Sequence, residues 1–237
     1  MEGLPAQPNR SVMEGIEVLF AVAGRRAAVR VRPLARELGM TPTRVQRYLA
    51  TLAHLGLARR NPDRSYAVGA GIHALSALSL SASGLAARAM RVLPPLGAAG
   101  CIVAVGVLWR HMVSYLYFSQ PGMPRSESLG RTEGYPAEHS SIGLLLLAHR
   151  GAEYVKRYFP EESDRLLPRL EEVRRTDRAV IERPEGGFSI AVPVGMPPFA
   201  GLAVSGEIAG GSIPALLERM RAAGRELNGK DPSTNPS

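Results

Sequence analysis

The chain has 237 residues, 45% of them hydrophobic, which is enough to bury one large core or two small ones. No run of about 18 uncharged apolar residues occurs, and the N-terminal stretch lacks a basic segment followed by an apolar one, so we expect neither a membrane span nor a signal peptide. The formal net charge is +8, and the single cysteine, Cys101, cannot form an internal disulfide, which with the missing export signal predicts a cytoplasmic protein.

Most of the net charge lies at the N-terminal end. Residues 1–65 hold eleven arginines and five acidic residues, whereas the remaining 172 residues hold 18 basic and 16 acidic ones. A small basic unit joined to a nearly neutral body indicates binding to a polyanion at that end. Since only two residues of the chain are lysines, a general preference for arginine is the alternative explanation.

Residues 8–69 are predicted as three helices followed by a β-hairpin. Apolar spacing predicts the first helix over 11–23 with Ser11 as its N-cap, and a short strand at Val29–Val31 leads into a two-turn helix that ends at Gly39. Thr41 caps a third helix that begins at Pro42 and ends at Gly56. Its predicted buried stripe is Val45, Tyr48, Leu49, Leu52 and Leu55. Two short strands around 61–63 complete the order typical of a winged helix-turn-helix.

The third helix is interpreted as one that reads DNA. Packing its apolar stripe inward leaves Thr43, Arg44, Gln46 and Arg47 on the solvent side, where arginine can pair with guanine and glutamine with adenine in the major groove. The hydroxyls of Thr41 and Thr43 suit phosphate oxygens. On the hairpin, the predicted phosphate contacts are Arg59, Arg60 and Arg64. The alternative is an ordinary surface helix with a solvated face.

The rest of the chain is divided into a linker, a larger domain and a tail. Residues 70–95 predict a charge-poor helix that Gly84 interrupts and Pro94-Pro95 ends, and we interpret it as a linker with a dimer contact. Its expected packing positions are Leu75, Leu78, Leu85 and Met90. Residues 96–228 alternate strands and helices, beginning with an antiparallel pair on either side of Arg110. Residues 229–237 are predicted to be a disordered tail.

Several segments, taken in order, resemble the IclR family of bacterial transcription regulators. In the N-terminal part these are "SVMEGIEVLFAVA", "LARELGMTPTRVQRYLATLAHLGLARR" and "SYAVGAGIHAL". In the C-terminal part, "GYPAEHSSIGLLLLAH" is similar to the family's proline–small residue–glycine helix entry, and "PEGGFSIAVPV" followed by "GLAVSGEI" is similar to its closing strands. The resemblance runs from about Ser11 to Leu227.

The resemblance implies an α+β chain with an N-terminal winged helix-turn-helix and a GAF-like effector domain built on a curved antiparallel sheet. It also implies a dimer or tetramer that binds a double-stranded, pseudopalindromic operator and responds to a small molecule, without a cofactor, a metal or a membrane. The positions it assigns to effector binding are Ser140, Ser141, Ile142, Glu182, Ser189 and Ser205.

The sequence departs from the family at the helix entry. The family usually has a histidine two residues after its proline and a lysine after its glycine. Here Glu138 takes the first place, His139 is displaced by one position, and Leu144 replaces the lysine. The class of effector therefore cannot be transferred from better-known relatives.

The residues themselves suggest a receptor for a carboxylate. Ser140 and Ser141 at a helix N-terminus would offer hydroxyls and backbone N–H groups, and Arg131 would supply a bidentate clamp. The alternative is that Ser140 only caps the helix and Arg131 is solvated. An aromatic group on one hairpin favours core packing over a ligand wall, and its members are Trp109, Tyr115, Tyr117 and Phe118.

Three other functions are alternatives to a regulator. A hydrolase would use the neighbours Glu138, His139 and a serine, but the sequence has no G-x-S-x-G elbow, and triad members meet in space rather than in sequence. A metal sensor would need Cys101 and His111 to converge with that group, and no close ligand-pair spacing supports one. A scaffold with a degenerate DNA helix is the third. We expect a DNA-binding regulator rather than an enzyme.

Overall fold

A computed structural model describes residues 8–97, 100–129, 134–183, 186–207 and 212–229 of the chain. These residues fall into two compact units that meet in the chain between Ala82 and Ser83. Arg131 and residues 230–237 of the predicted tail lie outside the described residues.

The N-terminal unit consists of helices and a two-stranded antiparallel wing, in an order that agrees with the predicted winged helix-turn-helix. Its core is formed by apolar residues of the first three helices together with Ala58 and Tyr66 of the wing. Its elements are α1 (Arg10–Ala23), α2 (Val31–Glu37), α3 (Pro42–His54), β1 (Ala58–Arg60), β2 (Tyr66–Val68) and α4 (Ala70–Ser83).

Three local predictions in this unit were wrong. The N-cap of α1 is Asn9 rather than Ser11, because the Asn9 side chain accepts a hydrogen bond from the Val12 amide at 3.1 Å. Leu55 is 61% exposed rather than buried, since α3 ends at His54 and the chain turns away at Gly56 with φ +71°. The expected strand at Val29–Val31 is reduced to a single bridge between Val29 and Tyr66, because α2 already begins at Val31.

Helix α4 is apolar, yet none of its residues is buried. Leu75 and Leu78, which were expected to be packing positions, are 59% and 69% exposed. The interruption at Gly84 is confirmed, with φ +60°, and the helix after it ends at Val92, directly before Pro94-Pro95, as predicted. A further short helix begins at Pro94. Within the described residues no single helix is long and apolar enough to cross a membrane; only α4 and the stretch through 97, taken together, reach that length and hydropathy.

The C-terminal unit is built on a six-stranded antiparallel sheet of order β5-β4-β3-β8-β7-β6. This agrees with the predicted α+β fold class with a curved antiparallel sheet. The helices of the unit are α5 (Leu85–Val92), α6 (Pro94–Gly97), α7 (Ser141–Ala148), α8 (Ala152–Tyr158), α9 (Ser163–Thr176) and α10 (Ile213–Asn228). Its strands are β3 (Ile102–Trp109), β4 (Met112–Ser119), β5 (Tyr135–Pro136), β6 (Ala179–Glu182), β7 (Phe188–Val194) and β8 (Ala200–Gly206).

The sheet separates two apolar cores. On one face, α5, α6 and α10 pack against it, with Leu93, Met220 and Leu227 fully buried. On the other face, α7 lies on the sheet with all eight of its residues buried, and α8 and α9 cover it. The second face is the one that carries the cavity described below.

The antiparallel pair β3–β4 turns at Arg110, as predicted, and contains one β-bulge. Val105 pairs with Tyr117 while the next residue, Gly106, pairs with Tyr115, so Leu116 is the extra residue. A bulge reverses the alternation of side chains along its strand. Tyr115 and Phe118 consequently pack on the α7 face, whereas Tyr117 is buried in the opposite core.

Candidate functional site

The start of α3 is built as the sequence predicted. Thr41 is the N-cap, and its hydroxyl accepts a hydrogen bond from the Arg44 amide at 3.4 Å, while Pro42 occupies the first helical position. Four of the five expected stripe residues are buried, and the opposite side carries exposed Thr43 and Arg47. The exposed side is therefore the one that can approach DNA.

A buried carboxylate beside α3 was not evident from the sequence. Glu14 of α1 is only 8% exposed, and it accepts hydrogen bonds from Arg10 at 2.7 Å, from the Tyr48 hydroxyl at 2.8 Å and from Arg44 at 3.3 Å. The hydrogen bond from Arg10, followed by that from Tyr48, lowers the pKa of Glu14 below its ordinary value, against the effect of desolvation. This ion cluster joins α1 to α3.

Two predicted base-reading side chains are held by the protein itself. The Arg44 guanidinium contacts Glu14 through Nη1, and Gln46 donates from Nε2 to the hydroxyl of Tyr66 at 2.8 Å. Tyr66 is 1% exposed on the wing strand β2, so Gln46 ties α3 to the wing. The other two predicted reading residues, Thr43 and Arg47, face solvent. Among the described residues, neither side chain forms a hydrogen bond of this kind.

The wing presents three arginines to solvent. Arg59 and Arg60 are consecutive residues of β1, and both are exposed. Arg64 lies in the turn with φ +65°, a conformation that side chains other than glycine seldom adopt. Beside it, Asp63 accepts hydrogen bonds from the Ser65 hydroxyl and amide, which lower its pKa. Among the described residues, none of these three arginines, which are the predicted phosphate contacts, forms an ion pair.

The C-terminal unit contains a cavity of about 390 Å³ between the start of α7 and the sheet. Six of the seven predicted effector residues line it, and the seventh, Arg131, lies outside the described residues. The lining is Ile102, Ala104, Tyr115, Phe118, Gly134, Tyr135, His139, Ser140, Ser141, Ile142, Ile181, Glu182, Arg183, Ser189, Ala203 and Ser205.

The N-terminus of α7 opens onto this cavity. Ser140 caps the helix by accepting a hydrogen bond from the Gly143 amide at 3.2 Å, which leaves the amides of Ser141 and Ile142 without an intrahelical acceptor. Gly143 is required at this point, because a Cβ atom there would lie 2.1 Å from the Ala137 carbonyl oxygen. The helix entry is thus packed tightly against the turn before it.

Three serine hydroxyls form a hydrogen-bonded chain along the cavity. Ser205 on β8 donates to Ser189 on β7 at 2.8 Å, and Ser189 lies 2.7 Å from the hydroxyl of Ser141 at the start of α7. Three hydroxyls carry three protons, and two of these are used within the chain. Whether Ser141 donates to Ser189 or accepts from it, one hydroxyl proton is not used within this group of three serines. The group can therefore donate one hydrogen bond to a ligand.

Aromatic and charged side chains complete the lining. Tyr115 and Phe118 pack edge to face at 5.8 Å between ring centroids. Both belong to the aromatic group for which core packing was favoured; Trp109 is 38% exposed and does not line the cavity. Sequence reasoning missed the pairing of Tyr115 with Phe118, because a regular strand would place them on opposite faces. It also missed Tyr135 and Arg183.

The structure shows where the residues that depart from the family pattern lie. Leu144 is fully buried in the apolar core, so the position of the family's lysine offers no charge to the cavity. Glu138 has one buried carboxylate oxygen, Oε2, without a hydrogen-bond partner among the described residues, and its Oε1 lies 4.0 Å from Nε2 of His139. Among the hydrogen bonds of the described residues, none joins His139 to Ser140 or Ser141. No group of three or more metal-ligating side chains occurs in the described residues.

Comparison with known proteins identifies the N-terminal unit and the fold of the chain. Residues 11–62 match the IclR helix-turn-helix domain. No curated protein sequence matches the chain significantly. This match agrees with the prediction of a DNA-binding helix-turn-helix in the N-terminal unit.

Solved structures share the fold over nearly the full chain. The IclR-type chain of Silicibacter sp. TM1040 is 21% identical, with a TM-score of 0.76, and the alignment covers 93% of this chain and 95% of that one. An IclR family transcriptional regulator of Brucella abortus is 19% identical, with a TM-score of 0.74 and coverages of 98% and 97%. An IclR homolog of Microbacterium hydrocarbonoxydans, solved in complex with 4-hydroxybenzoate, is 18% identical, with a TM-score of 0.60 and coverages of 92% and 98%.

Proposed function

Since residues 11–62 form an IclR helix-turn-helix domain and the chain has the fold of IclR regulators, we propose that it binds a double-stranded operator as a homo-oligomer and that a small carboxylate in the C-terminal cavity controls this binding. The observation that carries the proposal is the pairing of an exposed, basic reading helix with a separate cavity lined by hydrogen-bond donors. The cytoplasm is the compartment such a regulator requires.

The exposed side of α3 supports direct reading of bases. Arg47 and Thr43 are solvent-facing, and an arginine on a helix in the major groove can donate two hydrogen bonds to one guanine. Because Glu14 holds the Arg44 side chain, we assign Arg44 to orienting the helix and contacting the backbone at its edge, and Arg47 to base recognition. The three wing arginines would hold phosphates on either side.

Exposed apolar faces on the N-terminal unit support association with a second copy. Val12 and Ile16, one helical turn apart on α1, are 55% and 39% exposed, and α4 exposes Leu75 and Leu78. Apolar side chains at this spacing form a continuous face that a partner would cover. Two copies related by a twofold axis would present two reading helices to two half-sites of an operator.

The cavity favours a small anion with an aromatic or apolar body. The free amides of Ser141 and Ile142 at a helix N-terminus and the surplus proton of the serine chain are donors, which suit carboxylate oxygens. Tyr115, Phe118 and the apolar lining suit the rest of such a molecule, and about 390 Å³ is at the small end of ligand cavities. The 4-hydroxybenzoate complex of the Microbacterium hydrocarbonoxydans homolog supports this class.

Control by the ligand would follow from a difference in its affinity for two arrangements of the assembly. A ligand shifts such an equilibrium only as far as its affinities for the two states differ. The serine chain links α7, β7 and β8, so a bound carboxylate would change contacts on three elements at once. The resulting shift would change the spacing between the reading helices.

The test of DNA binding uses the DNA upstream of the protein's own gene and a scrambled duplex, titrated from low to high salt. We expect tighter binding to the upstream DNA, and we expect Arg47→Ala to remove most of that preference, a change of about 1–3 kcal/mol. Arg221→Ala, which removes an exposed arginine from α10, is the matched control. Equal affinity of the wild type for both duplexes with and without ligand would contradict the proposal.

The test of effector binding uses 4-hydroxybenzoate as the probe in isothermal titration calorimetry. We expect saturable binding that Ser141→Ala together with Ser189→Ala weakens by about tenfold or more, since a buried acceptor would lose its donors. Ser114→Ala, which removes an exposed hydroxyl on β4, should bind like the wild type. The DNA-binding assay is then repeated with saturating 4-hydroxybenzoate. If the affinity for the operator does not change, the result favours a DNA-binding protein that works without an effector.

A further inference from the structure

The C-terminal unit contains a second cavity of about 390 Å³, which lies between α10, the end of β7 and the end of α9. It shares no lining residue with the cavity at the start of α7. We call it the α10 cavity. The polar side chains that line it are Asp177, Arg221, Arg225 and Asn228.

The α10 cavity lies beside a part of β7 that β6 does not reach. Strand β6 begins at Ala179, which pairs with Ala191, so residues 192–194 of β7 have no neighbour on that side among the described strands. Helix α10 packs against β7 here, because a Cβ atom at the buried Gly224 would lie only 2.9 Å from the Pro193 carbonyl oxygen. The backbone of an edge strand therefore forms part of the cavity wall.

One side of the α10 cavity is basic. Arg221 and Arg225 lie one turn apart on α10 and share a helix face with Gly224 and Asn228, by the spacing i, i+3, i+4 and i+7. Both arginines are exposed, and neither side chain forms an ion pair or a hydrogen bond with the described residues. Two guanidinium groups at this spacing can both donate to one carboxylate.

The other side carries a carboxylate. Asp177 caps the end of α9, and its Oδ1 lies 3.5 Å from Nε2 of His149, a buried atom without a hydrogen-bond partner among the described residues. Burial lowers the pKa of His149, so the imidazole is uncharged at neutral pH and does not compensate the charge of Asp177. No ion pair of the described residues joins Asp177 to Arg221 or Arg225, although all three line the cavity.

We propose that the α10 cavity binds a free α-amino acid, whose carboxylate contacts Arg221 and Arg225 and whose ammonium group contacts Asp177. An α-amino acid carries both charges on one carbon atom, so it fits between opposite charges that do not meet each other. Met196, which lines the cavity and is 70% exposed, suits an apolar side chain of the ligand. The proposal does not depend on DNA or effector binding.

Charge favours a zwitterion over a simple ion. An anion would meet Asp177 and the carbonyl ends of α9 and α10, which carry partial negative charge. A cation would meet the two arginines. A ligand with both charges satisfies both sides, and about 390 Å³ is a volume suited to a small molecule.

The first experiment measures the melting temperature of the full chain, followed by the fluorescence of Trp109, with each standard L-amino acid in turn at about 10 mM. A ligand that binds only the folded state stabilises it, so we expect at least one amino acid to raise the melting temperature by about 3 °C. Isothermal titration calorimetry then compares that amino acid with its N-acetyl derivative, which lacks the ammonium group, and with its amide, which lacks the carboxylate. Each derivative should bind about tenfold more weakly or worse.

The variants R221Q/R225Q and D177N should each weaken binding of the amino acid by about tenfold or more. The matched control is R165Q/R169Q, which removes two exposed arginines of the same spacing from α9 that line neither cavity, and it should bind like the wild type. The weak affinity of the N-acetyl derivative should be the same for D177N and the wild type, because that derivative has no ammonium group to lose. Far-UV circular dichroism establishes that each variant is folded.

Three outcomes overturn the proposal: no amino acid changes the melting temperature, the N-acetyl derivative binds as tightly as the amino acid, or R221Q/R225Q binds like the wild type. Loss of amino-acid binding in S141A/S189A alone would place the ligand in the other cavity and also overturn it. Absence of operator preference in the wild type would overturn the proposed function and leave amino-acid binding intact. The DNA-binding test contains no amino acid, so Arg221→Ala remains a valid control there.

Discussion

Helices α3 and α7 both begin with a hydroxyl N-cap, yet they are held in place by different forces. Helix α7 is buried on every side, and its position is set by close packing of Gly143 against the Ala137 carbonyl. Helix α3 has one exposed side, and polar contacts at its flanks join it to Glu14 on α1 and to Tyr66 on the wing. A helix with one exposed side cannot be held by packing all round, so ions and hydrogen bonds at the flanks of α3 supplement its buried apolar stripe, whereas packing alone surrounds α7.

The largest expected effect comes from filling the space at the start of α7. Gly143→Ala would place a methyl group against backbone, which cannot move aside as a side chain could. We expect the C-terminal unit to lose about 3 kcal/mol of unfolding free energy, the upper end for overpacking. Urea unfolding followed by Trp109 fluorescence measures this loss.

The matched control is a glycine in the other unit. At Gly15 on α1, an added methyl group would meet only the ring of Tyr48 at 3.7 Å, an ordinary contact. Gly15→Ala should therefore be neutral or stabilise by up to about 1 kcal/mol through helix propensity. Equal tolerance at both glycines would show that packing does not fix α7.

These two helices also show what the sequence could and could not predict. The cap and first residue of α3 were predicted correctly, because N-cap and N1 preferences are local. The unbroken apolar run of α7 is typical of a buried helix, and that signal is also local to the segment. The partners of α3 could not be predicted, since Glu14 lies 30 residues from Arg44 and only tertiary packing brings them together.

For the cavity, too, the sequence predicted some features and not others. Ser141, Ser189 and Ser205 were identified through a family resemblance, but their hydrogen-bonded chain depends on the register of β7 and β8. Tyr115 and Phe118 were not paired in advance because the bulge at Leu116 leaves no mark in the sequence. Apolar composition was equally uninformative about burial, since α4 is as clearly apolar as a core helix and remains exposed.

A smaller effect is expected from removing the two cap hydroxyls, which compares the helices directly. Ser140 is 7% exposed and accepts its hydrogen bond at 3.2 Å, so Ser140→Ala leaves a buried amide without an acceptor and should cost about 2 kcal/mol. Thr41 is exposed and its bond is longer, at 3.4 Å, so water can replace it and Thr41→Ala should cost about 0.5 kcal/mol.

Amide hydrogen exchange of α7 and α3 reports the two caps separately, because local opening of each helix exposes its own amides. Faster exchange confined to α7 in Ser140→Ala, and little change of α3 in Thr41→Ala, is the expected result. A larger effect for Thr41→Ala would mean that α3 depends on its cap more than on its flanking contacts.

The smallest effect is confined to acid pH and tests the ion cluster beside α3. Arg10 and Tyr48 lower the pKa of Glu14, so the folded state holds this carboxylate ionised more firmly than the unfolded chain does. The stability it contributes is present above its unfolded pKa, about 4.3, and is lost as pH falls through the lower folded value. Glu14→Gln keeps the size of the side chain and one acceptor oxygen but removes this proton dependence, so the difference in melting temperature between pH 7 and pH 3 should shrink by a few degrees.

Asp63→Asn on the wing serves as the comparison, because the pKa of Asp63 is also lowered, by Ser65, but its carboxylate does not contact α3. Both substitutions should flatten the pH dependence of the melting temperature. Only Glu14→Gln should also quicken hydrogen exchange in α3 at neutral pH, since Arg44 then loses an ionised partner. If the two variants behaved alike in α3, the helix would be held by its apolar stripe, as α7 is held by packing, and the contrast between the two helices would not stand.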